Sequence, residues 1–470
     1  MSYSGREILE ATNGSLCRGD ADQLFTDVST DTREQQIGQL FIALSGPRFD
    51  GHDFLATAVA SGGVGLLIRK GEEARLSKVE EKGRSVTIIS VGDTLAALGD
   101  ISHFWRKKFP IPVVAITGSA GKTTTKEMTV QILGRFKNTL QTEGNFNNLV
   151  GLPLTMLRLR DTHEVAVLEM GTNVPGEIER LSCLAAPDVG LITNIGPAHL
   201  EGLKSVALVK EEKGELFRQL SGRGTAVVNV DDEAVRELAA RRSGPMVTYG
   251  LHNQADVTAE HVTMNCHGLS FTLTMGADRG SVQMAVAGTH NLMNALGAAA
   301  IGRAMNVPLD VICQGLQSFK PVTGRMEIIA LQNGGFLIND SYNANPVSVR
   351  EALLTFQDLR ANRRGTVILG DMLELGAESE ALHEEIGGLL AATGVDRVLL
   401  RGDFAPMTAA GAEKKGLSRS HIYFPSSVED IMADLSSSWQ DGEWLLIKGS
   451  RAMKMEEIVK KIIEKFGRKD

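Results

Sequence analysis

The chain has 470 residues, 43% apolar and 23% charged with 13 prolines, which is too long for one core at about 100–200 residues per domain and lacks a disordered or repetitive bulk. Its 49 basic and 57 acidic residues give a formal charge of −8. This excludes the broadly basic face that nucleic acids or anionic membranes need, so an anionic substrate requires a local basic pocket.

The first residues, Met1-Ser2-Tyr3-Ser4-Gly5-Arg6-Glu7, lack a basic-then-apolar leader pattern, and no run of about 18 apolar residues follows anywhere. The expectation is a cytoplasmic protein that is not inserted in a membrane. Short β runs at Leu40–Leu44, Val64–Ile68 and Val86–Ser90, separated by turn-rich and helical stretches, predict a small α/β domain over 1–92. A helical pattern then runs from Asp93 to Phe109, and Pro110 and Pro112 end it at a candidate hinge.

Next comes an apolar β run, Val113–Thr117, which breaks into Gly118-Ser119-Ala120-Gly121-Lys122-Thr123-Thr124 ahead of a helix-forming segment. Glycines allow successive amides to face one anion, the helix start adds partial positive charge, the lysine reaches outer phosphates, and a threonine hydroxyl can take Mg²⁺. The spacing is shorter than the common G-x-x-x-x-G-K-[ST], because the glycine pair is Gly118-x-x-Gly121. Placement between strand and helix still points to ATP handling.

Apolar strands ending in polar residues recur at Glu164–Gly171, Val189–Asn194 and Thr225–Asn229. Their alternation with helices predicts a mostly parallel sheet over 93–318, with its ligand crevice at the strands' carboxyl ends. Glu169 closes one such strand, where an acid either holds Mg²⁺ or is simply structural. His199 lies in the loop Thr193–Glu201, and a metal or phosphate role and an ordinary structural role are both open. Lys213, in Val209–Phe217, reads by spacing alone as part of a charged, solvated helix. Between about Ala255 and Gly288 the alternation suggests an antiparallel flap.

After a boundary near Phe319-Lys320-Pro321, strands at Phe336–Asp340, Thr366–Asp371, Val398–Leu400 and Glu443–Ile447 predict a Rossmann-like domain over 319–470. It has no G-x-G-x-x-G at its first turn, so a dinucleotide site is not expected there. Polar loops follow two of its strands, Asp340–Pro346 and Lys448–Arg451, the kind of place where sites are built. Cys17, Cys183, Cys266 and Cys313 show no metal-binding or disulfide spacing and read as buried small apolar residues.

Together these segments resemble the Mur ligase family over the whole chain. The resemblance rests on the short phosphate loop, Glu143–Leu154, Glu169-Met170-Gly171, Asn194–Glu201, Gly288–Ala295, Gly324–Glu327, Asp340–Pro346 and Lys448–Arg451, with Ser29–Arg33 and Gly46–His52 similar to its UDP-sugar region. Ser341–Pro346, and the absence of the Asp-Asn-Pro-Arg signature of the diaminopimelate-adding branch, imply the branch that joins D-Ala-D-Ala to UDP-N-acetylmuramoyl-tripeptide.

The resemblance implies an α/β fold of three domains, and it implies ATP and two Mg²⁺ ions as cofactors. Gly118, Ser119, Ala120, Gly121, Lys122, Thr123 and Thr124 would hold the phosphates, and Thr123 with Glu169 one Mg²⁺. His199 and a carbamylated Lys213 would hold the second, with Lys210 the competing lysine. Asn291 would approach adenine, while Arg325 and Asp340 would close over phosphate and ribose as the last domain swings in. Ser29, Asp31, Arg33, Asn145 and Asn148 would bind the UDP substrate, and the enzyme would be a monomer. The alternatives are another Mur branch, a folylpolyglutamate-synthase-like amide ligase, or a phosphate-loop ATPase that ligates nothing.

Overall fold

The structure is a computed structural model that describes residues 2–47, 49–79, 85–332 and 334–468. Met1 and Arg48, both used in the sequence reading, lie outside the described residues. The chain packs as two compact units, the first made of Met1–Val113, Lys137–Met170 and Glu179–Pro187, the second of Val114–Phe136, Gly171–Ile178 and Asp188–Asp470.

The first unit contains a five-stranded sheet in the order Ser15–Arg18, Thr87–Val91, Gly65–Arg69, Leu40–Ile42, Val28–Ser29. All neighbours are parallel except the outermost Ser15–Arg18, which runs antiparallel to Thr87–Val91. The three expected strands are present within a residue or two of their bounds. The two edge strands were not legible, because two residues (Val28–Ser29) and a fully exposed four (Ser15–Arg18) carry no period-2 pattern. One face is closed by Leu55, Ala58 and Val59 of a short helix against Phe41, Leu66, Ile68 and Ile88.

The expected helix after Asp93 spans Thr94–Arg106, with Asp93 capping it by accepting the Ala96 N–H at 2.8 Å. The same unit holds the parallel strand pair Thr139–Gln141 and Val165–Glu169, and the helix Gly151–Leu157.

In the second unit, the strand ending at Thr117 pairs in parallel with Val189–Ile192, then Thr225–Asn229, then Met246–Tyr249. The first two are buried along their whole length, as expected for strands covered on both faces. The expected flap is instead a continuation of this sheet. Val257 pairs in parallel with Tyr249, and Val257–Asn265, Gly268–Met275 and Asp278–Met284 follow as an antiparallel meander. The helix Lys122–Leu133 packs beside the almost wholly buried, alanine-rich helix Thr289–Ala304.

The same unit carries a six-stranded sheet ordered Glu327–Ala330, Phe336–Asp340, Trp444–Lys448, Gly365–Gly370, Arg397–Arg401, Ile422–Tyr423, parallel except for the first pair. Successive residues point to opposite faces, so Ile338, Val367, Leu369, Val398 and Leu446 join one core with the helices Pro346–Arg360 and Ser379–Ala392. Leu337, Ile368, Leu399 and Leu445 join the other core with Val428–Ser438 and Glu456–Phe466. This is the doubly wound arrangement expected of a Rossmann-like fold. One expectation fails at the cysteines: Cys313 is buried, but Cys17 and Cys183 are exposed and Cys266 is half-buried.

Candidate functional site: a phosphate loop and the residues tied to it

Gly118 (φ 146°) and Gly121 (φ 81°) hold the loop in backbone conformations that L side chains rarely adopt. Space forbids a side chain as well: a Cβ would lie 1.8 Å from Thr193 Oγ1 at Gly118 and 2.3 Å from Asn294 Oδ1 at Gly121. The loop is fastened from the next strand's end. Ser119 N–H donates to the Asn194 carbonyl (3.0 Å), Ala120 N–H to Asn194 Oδ1 (2.9 Å), and Thr193 Oγ1 to the Ala120 carbonyl (2.6 Å). Ser119 Oγ bonds Gly196 through both its N–H (3.0 Å) and its carbonyl (2.9 Å).

Such bracing fixes the loop before any ligand arrives. Gly121, at the N-cap of Lys122–Leu133, brings no capping side chain, so the positive end of this helix faces the loop. Lys122 Nζ donates to the Gly118 carbonyl at 2.8 Å, folded back over its own loop.

Behind the loop, Thr125 Oγ1 donates to Asn294 Oδ1 (3.2 Å), Asn294 Nδ2 to Asn291 Oδ1 (3.3 Å), and Asn291 Nδ2 to the Ala287 carbonyl (2.7 Å). Both asparagines are buried. Asn345, which caps the helix Pro346–Arg360 through the Ser348 N–H (2.9 Å), sends its Nδ2 to the Ser119 carbonyl (3.1 Å). The last third of the chain therefore touches the phosphate loop.

Lys213 departs most from the charge pattern. It lies on the buried stripe of the helix Val206–Gln219 with Val209, Leu216 and Phe217, and it is 0% exposed. Its Nζ has no hydrogen-bond partner among the described residues. The neighbouring Glu212 uses its carboxylate elsewhere, accepting from Gly176 N–H (2.7 Å), Ile178 N–H (2.8 Å) and Thr172 Oγ1 (3.3 Å). Burial, with the charge of Lys122 added, drives the Lys213 amine far below the ordinary lysine range, and Glu212 opposes this only weakly. Lys210, the competing candidate, is ion-paired with Glu237.

His199 sits at φ 55° before the short helix Leu200–Leu203, and its Nδ1 lies 2.7 Å from Glu374 Oε2. That hydrogen bond holds the Glu374 carboxyl below its ordinary value. Asp340 is buried at the end of its strand, accepting from the Met326 N–H (3.1 Å) and from Lys448 Nζ, which also donates to the Asn343 carbonyl (2.9 Å). The Arg325 guanidinium stacks on the Tyr342 ring at 4.3 Å, and Arg451 lies 5.4 Å from the same ring.

In the first unit, Glu169 is buried and accepts from Asn147 Nδ2 at 2.8 Å, while its N–H donates to Thr142 Oγ1 at 3.0 Å. Asn148 Oδ1 accepts the Val150 (3.1 Å) and Gly151 (2.8 Å) N–H groups and shapes the start of Gly151–Leu157. Asn145 takes part in this turn through its carbonyl, which accepts from Asn147 N–H (2.8 Å). Ser29 Oγ bridges the main chain of Asp31, and the exposed Arg33 pairs with Asp31 at 2.5 Å. The Arg33 hydrogen bond brings the Asp31 carboxyl down to about 2.

The structure thus gathers Gly118–Thr124, Asn291 and Asn345 around one loop, and pairs His199 with Glu374. Ser29, Asp31, Arg33, Asn145, Asn148 and Glu169 belong to the other unit. Sequence candidates omit Asn147, Asn294, Asn345, Glu374 and Lys448. Of these, Asn345 and Lys448 lie in the polar loops flagged beyond strands, whereas Glu374 has no sequence signal.

A braced phosphate loop, a buried lysine whose amine has no hydrogen-bond partner among the described residues and a doubly wound second sheet define a nucleotide-binding enzyme architecture. Residues 116–302 match the Mur ligase middle domain and 324–451 the Mur ligase glutamate ligase domain. The chain is 37% identical to the UDP-N-acetylmuramoyl-tripeptide–D-alanyl-D-alanine ligase of Escherichia coli (strain K12), over 99% of both chains. Among solved structures it is similar to MurF from Acinetobacter baumannii, with TM-score 0.88, 31% identity and 99% of both chains covered. A second is MurF ligase from Thermotoga maritima in complex with ADP, with TM-score 0.81 and 27% identity over 92% of this chain and 96% of that one. The chain belongs to the Mur ligase family.

Proposed function

We propose that this enzyme joins D-Ala-D-Ala to UDP-N-acetylmuramoyl-tripeptide, converting ATP to ADP and phosphate, as a cytoplasmic monomer in peptidoglycan precursor synthesis. The observation that carries the reading is the full-length likeness to a ligase of that name on a chain whose phosphate loop is built and braced. The tripeptide's terminal carboxylate attacks the γ-phosphorus, giving an acyl phosphate and releasing ADP. The amine of D-Ala-D-Ala then attacks the acyl carbon, phosphate leaves, and the nitrogen loses a proton to give the amide.

In this reading the domains are 1–92 for the UDP substrate, 93–318 for ATP and 319–470 for closure. Lys122 and the amides of Gly118–Thr124 bind phosphates, Asn291 lies toward adenine, and Arg325 and Asp340 serve phosphate and ribose. Ser29, Asp31, Arg33, Asn145 and Asn148 bind the UDP substrate. Thr123, Glu169 and His199 would supply oxygen and nitrogen donors for two Mg²⁺ ions.

No three His, Cys, Asp or Glu side chains among the described residues cluster into a metal site of their own. Such a donor set suits ions that nucleotide phosphates also hold. Mg²⁺, when bound, neutralises phosphate charge.

Lys213, as a carbamate, would be the remaining ligand. A buried, unpartnered, neutral amine is the species that attacks CO₂; the nitrogen loses a proton, and the product is an anionic oxygen donor. Product mass from a panel of acceptors tests the substrate assignment. The UDP-tripeptide with D-Ala-D-Ala should give the pentapeptide product, and preferred ligation to a UDP-dipeptide or a folate would overturn it.

A further inference from the structure

Glu374 and His199 lie 175 residues apart, yet they meet in a contact held from several sides. The Glu201 N–H donates to the Glu374 carbonyl at 2.9 Å. Gly376, at φ 57°, approaches so closely that a Cβ there would stand 3.2 Å from Glu201 Cα. Both partners are non-glycine residues in the left-handed region, Glu374 at φ 64° and His199 at φ 55°. Each such residue costs about 1 kcal/mol or more, and strain of this kind persists only where surrounding contacts over-determine it. Here it occurs at both ends of one hydrogen bond.

A neutral imidazole carries its proton on one nitrogen and its lone pair on the other, and the partner of the first decides the role of the second. A carboxylate at Nδ1 can only accept, so it keeps the proton there and leaves Nε2 unprotonated. We propose that Glu374 is a positioning residue: it fixes His199 in the Nδ1–H tautomer and in orientation, so that Nε2 is ready to take a divalent cation. This rests on the reading of His199 as an Mg²⁺ ligand. The cation site is then complete only when the turn after the strand Gly365–Gly370 is docked on the His199 loop, which couples closure of the last domain to metal binding.

The test uses the full chain with Glu374→Gly and Glu374→Gln. Glycine accepts the left-handed backbone and keeps the main-chain bond to Glu201, so it removes the carboxylate without refolding the turn; glutamine retains an accepting oxygen. The first readout is ¹⁵N-histidine NMR, with His199 assigned by the signals lost in His199→Gln. The second is Mn²⁺ binding with ADP present, followed by electron paramagnetic resonance of the free ion. Wild type should show Nδ1–H at His199. Glu374→Gly should shift it toward Nε2–H and weaken Mn²⁺ binding by about 10–100-fold, the usual cost of losing such a partner. Glu374→Gln should recover part of both effects. An unchanged tautomer or unchanged Mn²⁺ affinity in Glu374→Gly overturns the assignment. Absence of ligase turnover in the wild type would instead overturn the proposed function, since the tautomer is read without substrates.

Discussion

Replacing Lys213 by methionine separates its cost to the fold from its role in the reaction. The side chain is completely buried and its Nζ has no partner among the described residues. Burial lowers the pKa of this amine, and a lowering from the ordinary value of about 10.4 costs at most about 5 kcal/mol at pH 7 relative to the unfolded chain, at about 1.4 kcal/mol per pH unit. That figure is the ceiling on what Lys213→Met can return, and imperfect filling by methionine reduces it. We expect a gain of about 1–3 kcal/mol, or roughly 1–4 °C in melting temperature for a cooperative unit of several hundred residues.

The sign of the pH dependence follows. The unfolded chain binds a proton at Lys213 that the folded chain lacks, so stability rises with pH up to about 10.4, and the variant flattens this rise. Ligase turnover should nevertheless fall by about 10³-fold or more, because the proposed carbamate, an anionic ligand where charge develops, is lost. Calorimetry from pH 6 to 10 beside a coupled ADP assay reads both effects. A melting temperature lowered by several degrees, or turnover within about tenfold of wild type, would refute the reasoning. In Lys213→Ala, short carboxylic acids should restore part of the activity by filling the place of the proposed carbamate.

Lys122→Ala should abolish turnover while leaving the melting curve in place, since this half-buried lysine sits at the loop tip, donating to the Gly118 carbonyl at 2.8 Å, and not in a core; near-normal kcat would count against a phosphate role. Gly118→Ala should cost about 2 kcal/mol or more and abolish ATP binding, because its Cβ would meet Thr193 Oγ1 at 1.8 Å; nucleotide titration with thermal melts checks both. Arg33→Ala, at a side chain 87% exposed, should raise KM for the UDP substrate, with KM for ATP and stability unchanged. Equal effects on the two KM values would remove Arg33 from the substrate site.

The phosphate loop was legible because its chemistry is local: a buried strand, two glycines forced by close neighbours, and a helix start adjoin in sequence. The four inner strands of the six-stranded sheet were legible for a similar reason, since their apolar runs are long enough to mark strands buried on both faces, whereas the edge strands Glu327–Ala330, half-buried throughout, and Ile422–Tyr423, only two residues long, were not. Lys213 was not legible from its surroundings. Charges at 210–213 and 215 suggest a solvated helix, and only the packing of Val209, Leu216 and Phe217 turns one of those lysines inward. Here the family resemblance supplied what spacing could not. Asn145, Asn147 and Asn148 are alike in type, and tertiary structure alone decides that Asn147 reaches Glu169. Glu374 depends on a backbone conformation and a partner 175 residues away, neither of which leaves a local pattern.

The central claim is tested most directly by phosphate release from the purified enzyme with ATP, Mg²⁺, UDP-N-acetylmuramoyl-tripeptide and D-Ala-D-Ala, omitting one component at a time. The account predicts one phosphate per pentapeptide product and background release when any component is missing. Sustained phosphate release without D-Ala-D-Ala or without the UDP substrate would contradict it and show an ATPase that ligates nothing.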